Sequence, residues 1–341
     1  MNILQLLGQI FSNNKIVGVI SSSILIILLG IYLGKKEIIK KEASKALSDV
    51  VLFVSIPALS FNAFMKNFEK TIFNEGLNLL IWSLIFHLIM IFGIKIFYLK
   101  YKEEERVPLE ILSTFGAVTA FGIPVIQALY GDLGIIYASI YSIAYRVFLY
   151  SYGYIKMSGL KMNKENLKNI FMNPVIIATF LGLFIWIFQN YLPQTNINGE
   201  NICIFRIDKT MYWLYDPLSY LAKLCSPLAW LAAGLKLSEV SFRDTMKVKT
   251  AWYYSLIKVL ILPLSAFIIV KIISGLGILV LTNLGIATVV IMMGTPTASV
   301  TIAYAIKYNR EPILASSCSL LSTALSIVLL PVVIIILQIF S

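Results

Sequence analysis

The sequence predicts an all-α integral membrane protein of ten transmembrane helices in a 5+5 inverted repeat, with the fourth and ninth helices broken and crossing. Three observations carry this expectation. Of the 341 residues, 59% are hydrophobic and only 13% charged, with a mean hydropathy of +0.85, whereas soluble domains carry roughly 25% charged residues. Gly122-Ile123-Pro124 and Gly294-Thr295-Pro296 lie deep inside apolar stretches of the two halves. Each follows an earlier apolar-segment proline, Pro57 or Pro227, at closely matched intervals. A pair of interrupted hydrophobic segments at corresponding places is the sequence mark of a transporter binding site built at an internal repeat.

A helix needs about 20 apolar residues to cross the hydrocarbon core. Ten segments qualify: 16–34, 46–64, 77–98, 108–129, 133–154, 174–191, 213–235, 251–273, 278–306 and 313–340. Residues 1–15 are apolar but have neither a basic leader nor a small-residue cleavage site, so they read as an extra N-terminal segment rather than a signal peptide. The first repeat then covers 16–154, a cytoplasmic connection 155–173, and the second repeat 174–341. Only Gly131-Asp132 separates the fourth and fifth spans, which predicts a tight helical hairpin. The ninth segment is long for one span, as two half-helices joined by an unwound piece would be. The outer loop at 192–212 is polar and carries no evident chemistry.

Lys and Arg set the orientation. With the N-terminus outside, nineteen of the 28 fall in one set of loops and seven on the other side. Lys236 counts among the nineteen. Both termini are therefore expected outside the cytoplasmic membrane, and an odd number of spans per half inverts the two repeats. The charge of +11 reflects this topology; no basic arm long enough for nucleic acid is present. The three cysteines fit no disulfide framework. There is no zinc spacing, no Walker or Rossmann sequence, and no nucleophile–base pair, so neither an enzyme nor a cofactor or metal is expected.

Proline lacks an N–H and disrupts a helix interior, but it is favoured in a first turn. Pro124 and Pro296 are thus each expected to open the second half-helix of a broken span. Two such N-termini approaching the midplane from opposite sides, each with roughly half a positive charge, favour an anion. Thr119, Gly122, Gly294, Thr297 and Ser299 cluster at the breaks, with Thr295 and Thr301 adding hydroxyls. Intramembrane charges are costly and mark function. Arg146, mid-span in segment five, is expected to draw in an anionic substrate. Lys258 in segment eight either does the same or snorkels to the surface. His87 is expected as a buried imidazole bonded to a neighbouring helix, with proton coupling as its other conceivable role. No Asp or Glu stands near either break, which disfavours a cation/proton antiporter.

Several stretches resemble the auxin efflux carrier family, in its branch of bacterial permeases related to plant auxin exporters. They are Phe121-Gly122-Ile123-Pro124 with Ala128-Leu129-Tyr130-Gly131-Asp132; Pro296 through Ala305 to Tyr308, then Leu321-Ser322-Thr323; and Leu29-Gly30 to Gly34 with Ile56-Pro57-Ala58-Leu59. The resemblance implies a scaffold of spans 1, 2, 6 and 7, a moving transport domain of spans 3–5 and 8–10, and elevator-like alternating access. It also implies a substrate beside the crossover of the broken helices. A homodimer through the scaffold helices is expected. Where the family often has Asn, this chain has Ala117; a second proline is replaced by Thr297; Tyr145 and Arg146 stand where Asn is common. These departures point to a small carboxylate rather than an auxin-like molecule. A sodium-coupled bile-acid-type symporter shares the architecture but calls for acidic and amide residues behind the crossover. A ligand sensor without transport would carry an output domain.

Overall fold

A computed structural model describes residues 14–40, 43–159, 172–197, 199–239 and 245–340. The expected N-terminal segment and most of the 155–173 connection lie outside the described residues.

The described chain is mostly helical. In order it forms α1 (Asn14–Lys35), α2 (Ala43–Ala63), α3 (Lys70–Tyr98), α4 (Glu103–Thr114), α5 (Val118–Ser158) and α6 (Pro174–Phe188). A hairpin of β1 (Gln194–Ile197) and β2 (Glu200–Cys203) follows. Then come α7 (Ile207–Thr210), α8 (Tyr212–Lys223), α9 (Cys225–Glu239), α10 (Lys249–Gly275), α11 (Asn283–Met293), α12 (Ser299–Lys307) and α13 (Pro312–Phe340). Six helical stretches are long and apolar enough to cross a membrane: Ala43–Ala63, Lys70–Tyr98, Val118–Ser158, Tyr212–Ser238, Lys249–Gly275 and Pro312–Ile339. Ile24–Lys35, Pro174–Phe188 and Asn283–Met293 are apolar but shorter. Large side chains such as Leu25, Phe92, Ile96 and Ile272 point outward, unburied by protein; on a bilayer-spanning helix that is the lipid-facing side.

The hairpin departs from an all-α fold. It occupies the loop at 192–212, where Arg206 is held bidentate by Asp208 (2.8 Å) and donates to Asn67 Oδ1 (2.9 Å) and Gln189 Oε1 (3.2 Å). The turn expected at Gly131-Asp132 is present: α5 bends at Gly131, whose φ of 63° suits only glycine without strain.

Three prolines share one local solution. Pro57, Pro124 and Pro263 each follow, by two residues, a wide π-type turn: Val51–Ser55, Val118–Gly122 and Ile257–Ile261. The extra residue in the turn moves the carbonyl that a proline ring would otherwise strike. In the second of these turns Gly122 N donates to Ala117 O, five residues back (3.2 Å). The helix therefore passes through Pro124 without breaking.

Helices pack into two sets. α1 lies along α9, with Gly30 set against the Leu231 carbonyl and the Gly234 backbone, and α2 packs on α6, α8 and α9. In the other set α3 packs on α5, α10 on α11 and α13, and α11 on α5. The N-terminal end of α11 is clamped by α3. Glu75 accepts from Thr282 N (2.8 Å) and Thr282 Oγ1 (2.9 Å), while Asn78 and Trp82 donate to Val280 O and Leu279 O.

Candidate functional site

Two interruptions, between α4 and α5 and between α11 and α12, meet in the interior. They run antiparallel, with Gly116 opposite Thr297. Ala117 N donates to Pro296 O (2.6 Å) and Ala298 N to Phe115 O (3.3 Å). The backbone groups freed by unwinding thus satisfy one another, which an apolar surrounding requires. This geometry corrects the expected role of both prolines. The first break is at Phe115–Ala117 and α5 begins at Val118, so Pro124 lies inside the helix. The second half-helix begins at Ser299, so Pro296 lies in the unwound strand. The physical reason is the π-type turn, which absorbs Pro124, whereas Pro296 is used for its carbonyl.

Four helix ends surround this crossing. Lys258 Nζ donates to Ser113 O in the last turn of α4 (2.8 Å) and to Met293 O at the end of α11 (3.4 Å). It is 1% exposed, so it does not snorkel. Its charge sits where two helix C-termini converge, and it offsets their combined negative dipoles. Gly116 makes room for it: a Cβ there would lie 3.0 Å from Lys258 Nζ and overlap Thr295. Among the described residues no carboxylate is paired at the two N-termini, of α5 and α12.

Arg146 lies on α5, 3% exposed, and its Nη2 donates to Thr119 Oγ1 in the first turn of that same helix (2.8 Å). Neither Arg146 nor Lys258 forms an ion pair among the described residues. The buried carboxylate Glu75 is committed to capping α11. Tyr145, beside Arg146, donates to Gly116 O (2.6 Å) and so braces the crossing.

The hydroxyls of the second break turn inward. Thr297 Oγ1 bonds Tyr254 OH (2.8 Å) and Ser322 Oγ (2.9 Å), Thr295 donates to Met292 O (2.8 Å), and Thr301 to Ala298 O (2.8 Å). The Ser299 side chain lies outside the described residues. Gly122 packs against Met292 and Thr295, and Gly294 against Pro263. His87 is 2% exposed and ringed by Phe115, Tyr141, Tyr145 and Phe148. Its Nδ1 bonds Ser83 O (2.6 Å). The partner is one turn back on its own helix rather than on a neighbour, because the neighbouring segments turn aromatic rings toward the imidazole.

A small cavity of about 60 Å³ separates the crossing from α2 and α9. Ala117, Ala120, Phe121, Pro296 and Thr297 line one side, and Ala229, Ala232, Ala233 and Lys236 the other. Lys236 corrects the sequence expectation: it is no loop residue but lies in the last turn of α9, donating to Ser319 Oγ of α13 (3.2 Å). A signal for it existed. It falls on the helical stripe 229, 232, 233, 236, yet a charge at a span end reads as topology. A larger cavity, about 410 Å³, lies between Phe53 and Asn173 on one side and Tyr150, Tyr154, Tyr304 and Lys307 on the other.

Apolar helices, two of them interrupted where their ends cross beside buried cations, are those of a multi-pass membrane protein. Residues 16–334 match the family described as Membrane transport protein; the chain belongs to this family, the auxin efflux carrier family. It is similar to an uncharacterized transporter of Methanocaldococcus jannaschii, 22% identical over 320 residues, 90% of this chain and 94% of the relative. It is likewise similar to an uncharacterized transporter of Methanothermobacter thermautotrophicus, 26% identical over 321 residues, 91% of this chain and 94% of that one.

Proposed function

We propose that this chain carries a small organic anion, a carboxylate, across the cytoplasmic membrane by elevator-like alternating access. The observation that carries the reading is Arg146, a guanidinium buried at the first turn of α5 with no acidic partner among the described residues. A buried charge left without a counterion is costly, and an anionic ligand beside a helix N-terminus relieves that cost. Lys258 already occupies the negative ends of the broken helices, which argues against a metal cation there and hence against sodium coupling at the crossover.

The ten-span 5+5 inverted repeat remains the architecture we assign. The order of broken helices in the two halves supports it, as does the packing of α1, α2, α6, α8 and α9 chiefly on one another. These two sets correspond to the scaffold and transport groups; the dimer through the scaffold and the outward termini belong to the same reading. Substrate would bind at the crossover among Thr119, Gly122, Pro124, Arg146, Gly294, Pro296, Thr297 and Ser299, with Lys258 and His87 behind it.

The test is a thermal-shift screen of small carboxylates on the purified protein, followed by flux of any hit in proteoliposomes. A ligand held by the folded state alone stabilises it in proportion to RT ln(1 + [L]/Kd). Stabilisation by carboxylates with no flux would make the protein a sensor; stabilisation by cations alone would overturn the anion reading.

A further inference from the structure

We infer that Lys236 is the residue that recognises the substrate's carboxylate, reaching the crossover from α9 on the scaffold side. The inference deepens the proposed function and rests on it. It starts from the walls of the 60 Å³ cavity. On the crossover side the residues lining it are Ala117, Ala120, Phe121, Pro296 and Thr297. Four of these side chains are apolar, and the Thr297 hydroxyl is already bonded to Tyr254 and Ser322. The backbone of Ala117 is paired with Pro296 O. The broken helices therefore shape the cavity and set its potential but place no charged side chain on it.

The charge comes from the facing wall. Ala229, Ala232, Ala233 and Lys236 recur at helical spacing, so one face of α9 is turned to the cavity. Three methyl side chains recess that face, and the fourth position supplies an ammonium that bridges to Ser319 on α13. Among the described residues the rest of the lining, Ser48, Val51 and Thr323, is uncharged. The volume holds about two to four waters, room enough for a carboxylate head group. A lysine is a point charge on a flexible stem, without the planar fork that dictates geometry. Recognition of this kind selects the carboxylate and tolerates variation in what it is attached to. Arg146, behind Thr119, then acts through its field, and Lys236 by contact.

The test uses the full-length protein in detergent, titrated with acetate, benzoate and succinate and with acetamide, benzamide and succinamide, at constant ionic strength. Lys236→Gln should raise the midpoint concentration for the best carboxylate at least tenfold and abolish its advantage over the matching amide, while Lys236→Arg stays within about threefold of wild type. Should Lys236→Gln fail to fold, Ala232→Leu fills the cavity without touching the charge and should lose carboxylate binding to the same degree. Carboxylate binding unaltered in Lys236→Gln, or in Ala232→Leu, overturns the role of Lys236 and leaves the proposed function standing. No stabilisation of the wild type by any of the three carboxylates overturns both.

Discussion

Arg146 and Lys258 are both buried cations, and their neighbours separate their roles. Lys258 is bonded to backbone carbonyls at two helix ends, so its contribution is chiefly to the fold. Replacing it with Met removes the donor for Ser113 O and Met293 O, at about 1–3 kcal/mol for each buried acceptor left unsatisfied. Relief from burying an ammonium offsets part of this. Lys258→Met is therefore expected to lower stability by about 1–3 kcal/mol in a denaturation series; an unchanged midpoint would show that the helix ends do not depend on it. Arg146 instead meets a threonine hydroxyl, a weak partner for a guanidinium. Arg146→Gln should weaken carboxylate binding several-fold, since a buried charge acting through its field at an effective dielectric of about 20 is worth about 1–2 kcal/mol across a small site. Its effect on a neutral analogue should be much smaller, and equal losses for both would make Arg146 structural.

The elements show which parts of this fold are legible in sequence. Gly131 between two apolar runs reads directly as a turn, and the structure gives it a positive φ with open space around its Cα. Gly131→Ala should accordingly cost about 1–3 kcal/mol of backbone strain, measured as a fall in thermal midpoint. The broken helices are legible as a pair, but their break points are not. A proline announces a missing hydrogen bond without saying whether the chain unwinds or widens by one residue. Val118–Gly122 widens, and the actual gap opens upstream at Phe115–Ala117. That gap is closed by a strand from 180 residues further along, a pairing no local pattern contains. Lys236 escapes sequence reading for the same reason: its position reads as topology, while its bond to Ser319 and its place in the cavity lining come from tertiary packing. The bias of Lys and Arg toward one set of loops also hides it among eighteen residues of its own type of charge.

At the scale of the whole molecule the two packing sets touch through short polar contacts as well as through the cavity. Ser139 on α5 donates to Ser60 on α2 (3.2 Å), and Ser226 on α9 to Pro124 O on α5 (3.0 Å). If the sets slide past one another, joining them must stop transport without abolishing binding. Ser60→Cys with Ser139→Cys, oxidised in the folded protein, should eliminate flux, restore it on reduction, and keep the ligand-induced thermal shift. Full flux through the cross-linked form would exclude a moving transport group. A reporter inserted at 155–173 should lie on the cytoplasmic side; labelling there by an impermeant reagent from outside would reverse the topology. The crossing itself has a further consequence. Its two hydrogen bonds use only N–H and carbonyl groups of Phe115, Ala117, Pro296 and Ala298, which every residue type except proline supplies on both counts. The joint is thus indifferent to the side chain at 117, which under the proposed function faces the substrate. A lineage can trade that side chain, and with it the cargo, while inheriting the machinery unchanged.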